Sequence, residues 1–347
     1  MKRLLALACT AILATGPALA QDLPKRQFKV VGTWSNLTNW QKGEMPFWTK
    51  DLPDASRGAI TAQVQSMSDL GLKGTEVMRM LRLGLFDFAH ALPIYVAEDA
   101  VLEGVDLAGT SRDFATARKV TEVYSPLLVD SMAKNYGAKV LAWNTFPAQM
   151  LYCNKPIASL ADVKGKKVRV QGVSQGDLIA GLGGTGVTIP FAEVVPALQR
   201  GTVDCGITGT MPAYKAGWHE VTTHVVPLPL GFTIANLVVS LKTWDGLDAP
   251  SKALLEAQAA SWSDKAWKLI EDENAMGLIC TTGAGGTCSE GKPGKLTVVA
   301  PSDADRAMLD KVTQETVLAR WAKRCGAACV TAWNDTVGKV VKLTATP

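Results

Sequence analysis

Apolar residues fall into two alternating patterns along this chain. Phe28–Gly32, Ile60–Gln65, Lys139–Asn144, Leu151–Asn154, Lys167–Val170, Gly186–Ile189 and Leu296–Ala300 are short and rich in Val, Ile, Phe or Leu, and turn-forming residues bound them. That pattern predicts strands. Between them, Trp40–Leu52, Leu72–Leu83, Ser111–Tyr136, Gln175–Leu182, Pro250–Glu273 and Ser302–Ala327 repeat apolar residues at helical spacing. Pro250–Glu273 has no Gly and no Pro beyond its first position, and Ser302 and Asp303 stand where a helix cap belongs. Strands alternating with helices predict an α/β protein with largely parallel pairing.

One motif occurs twice. Residues 76–87 read EVMRMLRLGLFD and residues 193–204 read EVVPALQRGTVD. The pairs Glu76/Glu193, Val77/Val194, Leu81/Leu198, Gly84/Gly201 and Asp87/Asp204 coincide. Each copy reads as a helix stopped by a left-handed Gly, then a strand entered through Asp: Phe86–His90 after the first, Cys205–Thr208 after the second. A unit used twice suggests two similar α/β lobes, and a cleft between lobes is a place for a small molecule.

The N-terminus has the form of a secretory signal peptide over 1–20. Lys2 and Arg3 precede the apolar stretch Leu4–Leu13, and Ala18-Leu19-Ala20 makes Gln21 the expected first mature residue. A periplasmic location follows. The formal charge of +4 falls to +2 once Lys2 and Arg3 leave, too weak an excess to argue for nucleic acid. Cys9 leaves with the signal, and Cys153, Cys205, Cys280, Cys288, Cys325 and Cys329 remain, an even set suited to disulfides in an exported chain. Cys280 and Cys288 flank a Gly-rich loop and are expected to pair. Cys325 and Cys329 are close enough to pair, which would leave Cys153 and Cys205 for each other; sequence alone does not choose among the pairings. No metal site is expected, because close-spaced Cys or His sets are lacking.

At Ala161–Val170, ADVKGKKVRV, the pattern becomes specific. Pro190-Phe191, Glu193-Val194, Leu198-Gln199, Gly201, Val203-Asp204, Tyr214 and the run Trp218-His219-Glu220-Val221 follow it. With the first motif copy and Asp69-Leu70-Gly71, this resembles the DctP-type solute-binding proteins of TRAP transporters over most of the mature chain. The resemblance implies a two-lobed periplasmic binding protein fold of type II-like form, with hinge strands and a long lobe-spanning helix, for which Pro250–Glu273 is the candidate. Lobe I is expected over 21–146 plus 234–278, and lobe II over 147–233 plus 279–347.

In that family a strand arginine pairs with the ligand carboxylate, and Arg169 is the matching residue here. Its guanidinium offers two parallel donors and keeps its charge. This chain departs from the family at Gln149, where members often carry a second arginine, and at Thr208, where they often carry Asn. The ligand is therefore expected to be a monocarboxylate held by fewer charged contacts, or else something other than a simple dicarboxylate. Phe191 matches a family aromatic near the ligand. Trp34 and Asn36 lie in the loop after the first strand, His90 follows the first motif strand, and Asn236 leaves the hinge; these complete the candidate ligand-binding set.

The expected function is capture of a small organic acid and its delivery to TRAP membrane subunits, by a monomer without cofactor. A ligand-presenting sensor and an ABC-type binding protein are the alternatives. An exported hydrolase is disfavoured: the only histidines are His90, His219 and His224, and no His-Glu-x-x-His run occurs.

Overall fold

The computed structural model describes residues 23–96 and 99–346. The expected signal peptide, with Cys9, lies outside the described residues. Two sheets carry the fold. The first comprises β1 (Arg26–Gly32), β2 (Ile60–Ser66), β3 (Phe88–Ala91), β4 (Ala138–Thr145) and β10 (Ile234–Ser240), ordered β2-β1-β3-β10-β4. The second comprises β5 (Gln149–Cys153), β6 (Lys167–Val170), β7 (Thr185–Thr188), β8 (Cys205–Gly209), β9 (His224–Val226) and β11 (Thr297–Val298), ordered β11-β9-β5-β8-β6-β7.

The two orders are the same plan used twice. In each sheet a parallel trio (β2-β1-β3; β7-β6-β8) is followed by an antiparallel strand that arrives from elsewhere in the chain: β10 beside β3, and β5 beside β8. The repeated motif explains the equivalence of β3 and β8. Gly84 (φ 76°) and Gly201 (φ 69°) both take the left-handed conformation that ends their helices. Asp87 then exchanges two bonds with Lys29 of β1: its N–H donates to the Lys29 carbonyl at 2.8 Å and its carboxylate accepts from Lys29 N at 2.8 Å. Asp204 does the same with Lys167 of β6, at 2.8 and 3.0 Å. The shared spelling thus locks each motif strand to the middle strand of its own parallel trio.

Pairing is mixed, not largely parallel. The antiparallel ladders belong to β5, β9 and β10, the strands at the crossings between sheets. β10 reads as continuous apolar sequence and β9 is three residues long, so neither was expected as a strand. The first motif helix is shorter than expected, Val77–Arg82, because Gly74 (φ 99°) breaks the backbone just before it.

The long helix runs Ala249–Thr282, nine residues past the expected end at Glu273. The Asp248 carboxylate caps it by accepting from Ser251 N at 2.8 Å, and left-handed Gly283 (φ 71°) ends it. At 1.5 Å per residue it is about 50 Å long, and it touches both lobes. Trp267 Nε1 donates to the Trp143 carbonyl of β4 at 3.1 Å, and the Thr210 hydroxyl, next to β8, donates to the Asn274 carbonyl at 2.8 Å. Gly277 lies where a Cβ would come within 2.2 Å of Met211 N, so helix and second lobe meet backbone to backbone. C-terminal helices between Asp303 and Val341 pack against both halves: Arg324 holds Glu103 at 2.9 Å and Asp177 at 2.7 Å.

Disulfides join Cys153–Cys205, Cys280–Cys288 and Cys325–Cys329. The first ties β5 to β8 at a directly opposed pair. Among the described residues no helix is long and apolar enough to cross a membrane, and no group of three His, Cys, Asp or Glu could hold a metal ion.

Candidate functional site

Parallel strands present their carboxyl ends to one side of a sheet, and in open α/β sheets that edge is where ligands sit. Here the carboxyl ends of β1, β3, β6 and β8 face a space of about 20 Å³ between the lobes. That is room for about one water, far below the roughly 300 Å³ of small-molecule sites, so a ligand needs the lobes to part. Its aromatic wall is Trp34 after β1, Tyr95 after β3, Phe146 after β4 and Phe191 after β7. Trp34 sits at the centre, 5.2 Å from Phe191, 6.0 Å from Phe146 and 6.1 Å from Tyr95 between ring centroids.

The opposite edge is polar and uncharged: Gln149, Gln171, Thr208 and Thr233, all buried. Three of them form a chain. The Gln149 amide N–H donates to the Pro147 carbonyl at 2.8 Å, Gln171 Nε2 donates to Gln149 Oε1 at 2.6 Å, and the Thr233 hydroxyl donates to Gln171 Oε1 at 2.7 Å. Gln171 N donates to Gln175 Oε1 at 2.9 Å, which fixes the strand end.

Arg169 does not line this space itself. It lies directly behind Phe191 and Tyr95, fully buried, with its guanidinium 6.0 Å from the Phe191 centroid and 5.8 Å from that of Trp218. Nε donates to the Ile189 carbonyl at 3.0 Å and Nη1 to the Ile207 carbonyl at 2.7 Å. Nη2 is buried and makes no hydrogen bond. Among the described residues no carboxylate pairs with it. Burial lowers the guanidinium pKa from its ordinary value, and the neighbouring Tyr95 phenol opposes that. Burial raises the Tyr95 pKa, and the Arg169 charge opposes that. A charge held this way is costly unless an anion answers it.

Of the residues singled out from sequence, Trp34, Gln149, Phe191 and Thr208 meet in the cavity wall, and Arg169 stands behind it. Asn36 is at the lobe junction instead, its Nδ2 donating to the Lys215 carbonyl at 3.5 Å. Asn236 is buried in mid-strand, with both amide atoms unpaired. His90 points to the other face of the first sheet. There Trp48 Nε1 donates to its Nε2 at 2.8 Å, Trp262 covers it at 4.9 Å, and burial pushes its pKa down to about 3. It is a neutral core residue. Tyr95, Gln171 and Thr233 were missed; Gln171 was readable, since it lies two residues beyond Arg169 and so on the same face of the strand.

A second set of contacts closes the lobes at their rim. Glu290, two residues past the Cys280–Cys288 disulfide, takes Lys215 at 2.6 Å and Lys42, from the first lobe, at 2.8 Å. Hydrogen bonds from these two lysines hold its pKa below the ordinary value. Lys73 and Glu193 meet at 3.0 Å, both exposed.

The run Gly172-Val173-Ser174-Gln175-Gly176 does spell Gly-x-Ser-x-Gly, a sequence that a hydrolase nucleophile elbow would use. Ser174 is fully buried, however, and its oxygen accepts from Ala108 N at 2.6 Å. None of its hydrogen bonds reaches a histidine.

Two lobes with duplicated sheets, joined by crossing strands and a shared helix around a closed cleft, define a solute receptor. The chain belongs to the DctP family, bacterial extracellular solute-binding proteins of family 7, whose pattern residues 30–278 match. It is a TRAP-type periplasmic solute-binding protein. It is similar to the C4-dicarboxylate-binding periplasmic protein DctP of Rhodobacter capsulatus, at 26% identity over 79% of this chain and 84% of that one. The sialic acid-binding periplasmic protein SiaP of Vibrio cholerae is 25% identical over 65% of this chain and 70% of its own. Among solved structures, a Bordetella pertussis extracytoplasmic solute receptor binding pyroglutamic acid superimposes with a TM-score of 0.79 at 20% identity, over 90% of this chain and 99% of that chain. A TRAP periplasmic solute-binding protein of Desulfovibrio salexigens with bound orotic acid gives 0.80 at 18%, over 91% and 100%.

Proposed function

We propose that this protein captures a small organic acid between its lobes through Arg169 and hands it to TRAP membrane subunits. The observation that carries this reading is the unpaired, fully buried Nη2 of Arg169 beside the cavity wall. A carboxylate oxygen placed there completes the guanidinium, with the Tyr95 phenol as its neighbour, and the aromatic wall excludes water from the pair. Closure then follows from the ligand's greater affinity for the closed form. The chain reaches the periplasm through a cleavable signal peptide, acts as a monomer, and performs no chemistry on its cargo. The carboxylate ligands named for the solved relatives, pyroglutamic and orotic acid, support the class of cargo.

The test is a thermal-shift screen of the mature protein against organic acids. A binding acid at a hundredfold excess over its Kd adds about 2.7 kcal/mol. Arg169→Lys keeps the charge but loses the fork and is expected to weaken binding at least tenfold; Arg169→Ala is expected to abolish it. A full shift retained in Arg169→Ala sinks the clamp.

A further inference from the structure

Gln149 and Gln171 form a relay whose direction is fixed at one end. The Pro147 carbonyl can only accept, so the Gln149 N–H must face it and Gln149 Oε1 must face Gln171. Gln171 Nε2 therefore points back, and its oxygen takes the Thr233 hydroxyl. With both amide oxygens answered and each NH2 carrying two hydrogens, one N–H per amide stays uncommitted. The Thr208 hydroxyl also lines the cavity and, among the described residues, makes no hydrogen bond. All three groups are at least nine-tenths buried: Gln149 is 1% exposed, Gln171 8% and Thr208 2%. No charged side chain among the described residues lines the space.

We propose that this edge reads a neutral hydrogen-bond acceptor, so that the cargo is a compact ring monocarboxylate bearing a carbonyl-type oxygen away from its carboxylate. Gln171 is then a specificity-determining residue. The inference rests on the carboxylate reading above and narrows it. A second carboxylate at this edge meets donors but no compensating cation, and its buried charge is left without a partner. A purely apolar group leaves the amide donors unanswered. The aromatic wall favours a flat or cyclic body between the two ends.

Three ring acids of matched size separate these cases by calorimetry: cyclopentanecarboxylate, 3-oxocyclopentanecarboxylate and cyclopentane-1,3-dicarboxylate. The keto acid is expected to bind about tenfold more tightly than the parent acid, the worth of one well-made neutral hydrogen bond. The dicarboxylate is expected to bind on the order of a hundredfold more weakly than the keto acid. Gln171→Leu is expected to erase the keto preference, the ratio of keto-acid to parent-acid affinity falling from about tenfold to about one; Gln149→Leu, at the anchored end, replaces it if that variant does not fold. Equal weakening of all three acids in the variant means a merely structural role and overturns the proposal. A dicarboxylate that binds best, or a keto group without effect, overturns the proposal and leaves Arg169-dependent capture standing. Failure of every carboxylate overturns both.

Discussion

Gly277→Ala sets two effects of known size against each other. The residue lies inside the long helix, where replacing Gly by Ala is favourable by about 1 kcal/mol in propensity alone. Against this, the new methyl would stand 2.2 Å from Met211 N, 2.5 Å from Thr210 C and 2.7 Å from Met211 Cα. These are backbone atoms of the turn leaving β8, so no side chain can swing aside. Overpacking of this kind costs about 1–3 kcal/mol, and backbone contact places the cost at the upper end. The expected net is a loss of about 1–2 kcal/mol. The damage is also placed: Asn274, one turn earlier, accepts from Ala148 N at 2.9 Å where the chain enters β5, so a displaced helix disturbs the crossing and with it Gln149. Urea titration of the ligand-free protein reads the stability, and calorimetry with a binding acid reads the site. Gly176→Ala is the control. It sits in the helix Val173–Gly181 with open space around its Cβ position, and is expected to gain about 0.5–1 kcal/mol. If Gly277→Ala stabilises the protein as Gly176→Ala does, the close crossing of helix and second lobe is refuted.

Other perturbations have equally definite outcomes. Burial raises the Asp106 carboxyl to about 7, beside the crossing segment whose Phe232 N–H donates to it at 3.1 Å. Its folded pKa lies above the unfolded value, so its stabilising contribution is complete below about pH 4 and is lost as pH rises towards 7. Asp106→Asn should therefore flatten the fall in Tm between pH 5 and 7.5; an unchanged profile contradicts the assignment. Glu44, raised to about 7 by burial and holding Thr33 N at 2.7 Å, titrates in the same sense, and Glu44→Gln should flatten the profile further. Glu290→Gln removes the charge shared by Lys42 and Lys215 at the rim. Ligand release is expected to quicken about three- to tenfold with little change in Tm, and stopped-flow rates equal to wild type would show that the rim does not hold the lobes together. His90→Phe keeps an aromatic ring in its buried site but strands the Trp48 N–H; it should cost about 1–3 kcal/mol while leaving affinity for the acid unchanged.

What could be read from the chain divides along physical lines. Arg169 and the two motif copies were legible because their signals are local: a charged residue alternating with Val168 and Val170, and a Gly–Asp spelling that sets a turn and a strand lock within a dozen residues. The place of β10 between β3 and β4 was not, since pairing across such sequence distances leaves no local trace in a strand apolar on both faces. The end of the long helix was set too early because it was read from a run without Gly, whereas tertiary contacts at Asn274 and Gly277 carry the helix on to Thr282. His90 was misplaced by a single step of register. It lies inside β3, whose twofold alternation turns it to the face away from the cleft. Tyr95 and Thr233 come from loop and crossing segments, whose course depends on the packing of the lobes.

The insertion of β10 between β3 and β4 also bears on how the chain is made. Asn236 pairs with Ala91 on one side and Trp143 on the other. A nascent chain that has grown only as far as β4 thus lacks the strand that joins β3 to β4, and those two have no ladder to share. The N-terminal lobe cannot complete itself in order of synthesis; it must wait for Ser240, by which time most of the second lobe's strands have also emerged. Late closure of this kind leaves the unfinished chain pliable until Ser240 has been made. An N-terminal fragment ending at residue 145 should accordingly be digested rapidly by protease, and one ending after the long helix should not; a protected short fragment would show that the first lobe assembles without its late strand.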